Sequence, residues 1–258
     1  MRLMKRILSA AAVLALSASL LVGCSSGTAS SVPVSASSAA ESTVSSVGET
    51  ASSAVDENEA AAAQLLNDLT GSYQELWPVI LADEYKQTWL DDCTALVGED
   101  NAEAAFEKLS SMVTGDVYGE DAVKAYANGG GAYFCGFTNS LAILTFEGET
   151  STISGTDKDG NVLFSHTYHY IGMEPVRGLY EFESDDADSG EFTYFFLAPD
   201  TSAETYHIEF RYGSDAEALS QYDAGEYAYW VASGISTDCD QTMIDNCIEL
   251  FCTENLAG

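Results

Sequence analysis

A histidine and a glutamate in the second half of the chain have a spacing that suits two metal ligands. Residues 205–210 read Thr-Tyr-His-Ile-Glu-Phe, and the alternation of polar and apolar side chains predicts a strand. His207 and Glu209 then share one face with Thr205, and the apolar residues share the other. If the apolar set packs beneath helices, the imidazole and the carboxylate point into a barrel or cleft and can bind a metal there. The alternative is a histidine that hydrogen-bonds to polar neighbours.

The other two histidines do not extend this pair into a larger site. His166 and His169 are three residues apart on one predicted strand, so their side chains are expected on opposite faces. Two acidic turns, at 157–160 and 185–190, lack the ligand spacing of an EF-hand loop. We interpret them as solvated hairpin turns.

Cysteine usage leaves several redox states open. Besides Cys24, the chain contains Cys93, Cys135, Cys239, Cys247 and Cys252, an odd number. No C-x-x-C pair occurs, which argues against a zinc ribbon and against a dithiol redox motif. Buried free thiols and one or two disulfides both agree with the sequence, and spacing alone does not give the pairing.

Motifs and charge exclude two classes of function. The chain contains no G-x-S-x-G elbow, no G-x-x-x-x-G-K-[ST] phosphate loop and no H-E-x-x-H motif, so we predict no enzymatic activity. It carries 9 basic against 41 acidic residues, a formal net charge of −32. Nucleic-acid binding requires clustered Lys and Arg to neutralise phosphates, so a nucleic-acid partner is excluded.

The N-terminus predicts export and attachment to lipid. Residues 1–23 combine a short basic start with an apolar run, which is typical of a bacterial signal peptide. The run ends in Leu21-Val-Gly followed by Cys24, which resembles a lipobox, so Cys24 is the expected lipidation site. The alternative is an ordinary signal peptide with an unrelated cysteine. We predict a protein anchored by lipid to the extracytoplasmic face of the cell membrane.

Composition divides the rest of the chain into a linker and one domain. Residues 24–58 are almost entirely Ser, Ala, Thr, Val and Gly without an aromatic residue, which predicts a flexible linker. Residues 59–258 are expected to form a single folded domain. Apolar residues three and four apart predict helices over 59–126, and a last helix is expected from a cap at Thr237 or Asp238 to about Glu254.

Between these helices the hydrophobic period changes to two, which predicts strands. The predicted strands, rich in Tyr, Phe, Ile and Thr, are 133–137, 141–146, 151–155, 162–170, 179–183, 192–197 and 205–212. Short strands in succession indicate a mainly β fold with an antiparallel meander. Such a meander either closes into a barrel or stacks as a sandwich.

The domain resembles the ZinT (YodA) family over most of residues 65–254. The resemblance rests on stretches in a fixed order: Leu69–Ile80 (LTGSYQELWPVI), Tyr168–Gly172 (YHYIG), Leu179–Glu183 (LYEFE), Phe196–Pro199 (FLAP) and Tyr206–Phe210 (YHIEF). It implies an antiparallel lipocalin-like (calycin) barrel with N-terminal helices and a C-terminal helix. It also implies an extracytoplasmic zinc- or cadmium-binding protein whose partner is a metal ABC importer.

The resemblance also places a metal site, most of whose ligands are replaced in this chain. The family binds its metal through three histidines on two adjacent strands, and these positions fall at Phe195, Thr205 and His207. Only His207 matches, so the resemblance implies zinc at His207, with Glu209 as the nearest further donor. The alternative is a calycin barrel that binds a small apolar ligand, or acts as a docking module, without metal.

Overall fold

The computed structural model describes residues 47–199 and 206–257, with side chains from residue 57 onward. The predictions made for the signal peptide, for Cys24 and for Thr205 lie outside these residues. The elements described below, apart from the start of the first helix, belong to one compact unit, Ala54–Gly258. None of the described helices has the length and apolar character needed to cross a membrane.

Eight antiparallel strands close into a barrel in chain order. The last strand pairs with the first through Tyr73 opposite Ser236 and Gln74 opposite Ile235. The strands are β1 (Gly71–Glu75), β2 (Ile143–Glu147), β3 (Thr152–Thr156), β4 (Val162–Met173), β5 (Tyr180–Ser184), β6 (Tyr194–Leu197), β7 (Ile208–Gly213) and β8 (Ala232–Ser236). The predicted lipocalin-like barrel is confirmed, and the sandwich alternative is excluded.

Aromatic rings fill the inside of the barrel. Along β7, Ile208, Phe210 and Tyr212 are at most 1% exposed and join Phe195 of β6 and Phe182 of β5 in one buried cluster. The ring centroids of Phe195 and Tyr212 are 5.3 Å apart, and those of Phe195 and Phe210 are 6.4 Å apart. Barrels of eight strands have an interior that side chains can fill. Burial of these large rings is therefore a main source of the fold's stability.

Helices form a second buried layer outside the barrel. In chain order they are α1 (Val47–Asp68), α2 (Leu76–Ile80), α3 (Lys86–Val97), α4 (Glu99–Val113), α5 (Glu120–Ala127), α6 (Ala216–Leu219) and α7 (Gln241–Leu256). Three 3-10 turns lie at Asp83–Tyr85, Gly148–Thr150 and Gly190–Phe192. The helices α3, α4 and α7 pack on one another, and α2 contacts β8. At their centre, the buried Trp89 donates its indole N–H to the carbonyl of Ile80 at 2.7 Å.

The strand prediction is wrong where the first and last strands pair to close the barrel, here called the seam. The segment 133–137 is not a strand, because Phe134 makes only isolated bridges, to Thr114 and Trp230. The seam strands are β1, which was predicted as helix, and β8, for which no strand was predicted. Since β1 and β8 hydrogen-bond to each other, no open edge remains there for residues 133–137.

Helix boundaries also differ from the prediction at both ends of the domain. The helix α1 begins at Val47, so the end of the segment predicted as a linker, residues 47–58, is helical. The helix α7 is capped by Asp240 rather than by Thr237 or Asp238. The Asp240 carboxylate accepts the backbone N–H of Met243 at 2.9 Å, which satisfies one of the free donors at the helix start.

A buried arginine on the outside of β7 holds the segment that follows this strand. Arg211 is 0% exposed, and its guanidinium donates to the backbone carbonyls of Leu219, Gln221 and Tyr227. It also lies 4.4 Å from the ring centroid of Tyr222. Desolvation lowers the pKa of Arg211 to about 10, which still leaves it charged at neutral pH. The charged guanidinium of Arg211 therefore holds residues 219–227 against the barrel wall.

Candidate functional site

His207 lies outside the barrel, between the start of β7 and α7. Its Nε2 is 3.8 Å from a carboxylate oxygen of Glu209, an ion-pair distance, and the ring also interacts with Cys247 on α7. The side chains of His207 and Glu209 are 18% and 29% exposed. The expectation that this pair points into the barrel is wrong. The large apolar side chains Ile208 and Phe210 take the inner face, so the alternation places Glu209 on the outer face.

The surroundings of His207 favour its protonated form. Desolvation lowers the pKa of the imidazole, but the neighbouring Cys247 and Glu209 outweigh it, so the pKa is raised well above 6.5. The ring is thus a cation held between a thiol and a carboxylate. A neutral imidazole is the form that ligates a metal, so a metal at His207 would have to displace this proton.

We expect a pH-dependent contribution of His207 to stability. Because its pKa is raised in the folded state, the contribution is fully present below the unfolded pKa of 6.5 and is lost as the pH rises through the folded value. The difference in free energy of unfolding between the wild type and His207→Gln should be largest below pH 6.5 and shrink as the pH rises through the raised pKa. Urea denaturation over this range measures it. Glu209→Gln should weaken the trend, and a difference that grows with pH would contradict it.

The family ligand positions do not come together in this structure. Phe195 lies inside the barrel, where its ring contacts Tyr168 and Tyr212 at centroid distances of 5.4 and 5.3 Å. His207 contacts α7 on the other side of the barrel wall, and Thr205 lies outside the described residues. Within residues 57–199 and 206–257, no three His, Cys, Asp or Glu side chains are grouped to hold a metal. The described donor set therefore does not fit the zinc site that the resemblance implies, and we derive no metal chemistry from it.

The other two histidines each bind an aspartate of the same turn. His166 Nδ1 is 2.7 Å from Asp186, and His169 Nδ1 is 2.7 Å from Asp185. The His166 side chain is 17% exposed and stacks against the interior residue Phe164, whereas that of His169 is 53% exposed. The two rings thus lie on opposite faces of β4, as their spacing predicts. They hold the 185–190 turn against the strand and do not share a site.

A cleft on the outside of the barrel is a second candidate site. It encloses about 320 Å³ between α2, the end of α4 and the extended segment at residues 134–136. Much of its wall is apolar or aromatic, formed by Trp77, Pro78, Leu81, Val113, Phe134 and Cys135. Sites for small molecules are mostly apolar clefts of 300 Å³ upward, so this cleft is at the small end of that range.

One charged group lies in the wall of the cleft. Glu75 ends β1, and its Oε1 accepts the backbone N–H of Phe137 at 2.6 Å. A Cβ at Gly136 would lie 2.8 Å from this oxygen, so the glycine lets the carboxylate approach the backbone. Burial and the nearby carboxylate of Glu209 raise the pKa of the Cys135 thiol, which therefore stays protonated and unreactive. The cleft thus offers a largely apolar wall with one carboxylate, and the thiol in its wall is not activated as a nucleophile.

The sequence alone gives little indication of this cleft or of the contact between His207 and Cys247. The cleft depends on Gly71–Glu75 being a strand, and that segment lies within a run of apolar residues with helical spacing. Gly71 is the residue in this run that indicates a break in the helix before the strand, and its φ is +148°. Cys247 lies on α7, and nothing in the sequence places it beside His207.

Comparisons with known proteins give similarities of fold only. No protein-family model matches the sequence, and no curated protein matches it. The crystal structure of the Zn(II)-bound ZinT-like domain of Streptococcus pneumoniae AdcA is 16% identical, with a TM-score of 0.45, over 71% of this chain and 89% of that domain. Zn(II)-bound AdcA from Streptococcus pneumoniae is 16% identical, with a TM-score of 0.41, over 75% of this chain but only 35% of AdcA. Neither similarity assigns a role to a residue of this chain.

Proposed function

We propose that this chain is a lipid-anchored binding protein on the extracytoplasmic face of the cell membrane. In this proposal it binds a small, largely apolar molecule and does not transform it. The signal sequence and the lipobox-like ending at Cys24 support the anchor and the location. The large acidic excess supports a role away from nucleic acids and from anionic lipid surfaces.

The cleft beside α2 is the observation that carries the binding function. Its wall is formed largely by apolar side chains, and Glu75 supplies one fixed acceptor. A ligand that fits has an apolar or aromatic body and carries a hydrogen-bond donor or a positive charge that meets the carboxylate. The barrel interior is the weaker location for it, because aromatic rings in mutual contact occupy that space.

A neutral hydrophobic dye tests the cleft directly. We expect Nile red fluorescence to rise on addition of the protein, and the rise to fall about fivefold in Leu81→Trp, whose larger side chain fills part of the cleft. Leu96→Trp is the matched control, because Leu96 is 37% exposed on α3 and is not part of the cleft wall. Equal fluorescence with the two variants would rule out the cleft as the dye site.

Zinc binding, with a metal ABC importer as partner, is the second candidate function. It is favoured by the resemblance to the ZinT family and by His207, whose ring contacts a carboxylate and a thiol, two further kinds of donor that zinc accepts. Native mass spectrometry of the purified protein separates the two candidates. A retained organic molecule supports the first. A stoichiometric metal that is absent from His207→Ala supports the second.

A further inference from the structure

Two buried cysteines from distant parts of the chain meet between α3 and α7. Cys93 and Cys252 are both 0% exposed, and their Sγ atoms are 3.9 Å apart. The two helices pack directly on each other. A disulfide bond is about 2.0 Å long, so a small rotation of each side chain and a slight approach of the helices would join the sulfurs.

The surroundings of both thiols determine when such a bond can form. Burial raises the pKa of Cys93 and of Cys252, and for Cys252 the neighbouring Cys93 and Asp92 raise it further. Only a thiolate attacks a disulfide, so these thiols are unreactive once the helices are closed. Oxidation must therefore occur while α3 and α7 are still coming together. Because both sulfurs are buried, a completed bond is also out of reach of an external thiolate and is protected from reductants.

We infer that Cys93 and Cys252 form a structural disulfide between α3 and α7. The thiolate of one cysteine attacks an oxidant of the disulfide class, such as glutathione disulfide, and forms a mixed disulfide. The second cysteine then displaces the remaining glutathione as its thiolate. One protein S–S bond forms, one oxidant S–S bond breaks, and the two protein thiol protons end on two glutathione thiols. Extracytoplasmic compartments contain such oxidants, but the pairing depends on neither the anchor nor the ligand.

The bond would constrain the unfolded chain strongly. The two cysteines are 159 positions apart, and cross-links that close long loops remove the most chain entropy from the unfolded state. The link also joins a helix that follows the first strand to the last helix of the fold. We expect the oxidised protein to melt about 10 °C above the reduced protein.

Peptide mapping identifies the bond. The full chain with Cys24→Ser, which keeps five cysteines, is refolded from denaturant in a buffer of reduced and oxidised glutathione. Intact mass should fall by about 2 Da, and three thiols should titrate after denaturation. Cleavage after glutamates places Cys93 in Tyr85–Glu99 and Cys252 in Leu250–Glu254. Cys135 falls in Asp121–Glu147, and Cys239 and Cys247 fall in Tyr227–Glu249. A linked pair of the first two peptides is expected. Five free thiols, or a link that involves Cys135, Cys239 or Cys247, would overturn the inference.

Melting temperatures separate the bond from the packing of the two side chains. The double variant Cys93→Ala with Cys252→Ala should melt at the same temperature after refolding with glutathione or with dithiothreitol. Cys135→Ala, which removes another buried thiol, should keep the redox-dependent shift of about 10 °C. A shift that persists in the double variant, or one that is lost in Cys135→Ala, would contradict the assignment.

Discussion

Replacement of Arg211 by methionine is expected to lower the free energy of unfolding by about 3 kcal/mol. The substitution removes the donor from the buried carbonyls of Leu219 and Tyr227, the donor from the partly buried carbonyl of Gln221, and the cation from the ring of Tyr222. Each hydrogen bond to a charged group contributes roughly 1.5–3 kcal/mol, and relief of the guanidinium's desolvation offsets part of their sum. Urea denaturation at neutral pH measures the difference.

Arg177 provides a control on the same aromatic ring. Its guanidinium lies 4.1 Å from the ring centroid of Tyr222, but the side chain is only half-buried and reaches a tyrosine hydroxyl instead of backbone carbonyls. Arg177→Met should therefore cost about 1 kcal/mol, the value of a partly exposed cation–π contact. Equal losses for the two variants would show that the carbonyls bound by Arg211 contribute little to its effect.

Much of the barrel could be predicted from sequence because its strands carry their own signal. Residues 143–147, 152–156, 162–173, 180–184, 194–197 and 208–213 lie largely within predicted strands. In β4 and β5, inward and outward side chains alternate with a period of two, and turn residues bound both strands. The choice between barrel and sandwich was not available from this pattern, since it depends on whether the first and last strands meet.

The sequences of β1 and β8 show why closure of the barrel could not be predicted. The strand β1 is only five residues long, and Tyr73 falls at helical spacing from Leu69 and Leu76. The strand β8 (ASGIS) is buried at four of its five positions, so it shows no alternation of polar and apolar residues. Pairing between distant segments, here Tyr73 with Ser236, overrides such weak local preferences.

Only the part of the candidate site that lies on a single strand could be predicted from the sequence. The shared face of His207 and Glu209 follows from their spacing, and the two side chains are indeed neighbours. Which side of the barrel wall they face depends on which side chains of this strand gain the most free energy by burial inside the barrel. Ile208 and Phe210 gain more free energy by burial than an imidazole and a carboxylate do. The partner Cys247 and the pair Cys93–Cys252 are contacts between distant segments, for which one sequence gives no spacing rule.

Phe195→His places a histidine where the resemblance to the ZinT family implies a metal ligand, and we expect it to cost about 3 kcal/mol without creating a zinc site. Phe195 is 0% exposed inside the barrel, in contact with Tyr168, Phe210 and Tyr212. An imidazole there loses apolar burial and leaves a ring nitrogen without a partner, which costs roughly 1–3 kcal/mol on its own. Urea denaturation gives the loss of stability, and calorimetric zinc titration of the demetallated variant tests for the site.

Phe195→Leu distinguishes the stability lost with the phenyl ring from the stability lost by adding polar nitrogen atoms. It keeps an apolar side chain and should cost roughly half as much as the histidine variant, with unchanged zinc binding. The histidine at position 195 would face the barrel interior, whereas His207 contacts Cys247 on the outer side of the wall. One ion cannot contact both rings without opening the wall. A tight zinc site that appears in Phe195→His and disappears when His207→Ala is added would show that the two positions share one side of the barrel after all.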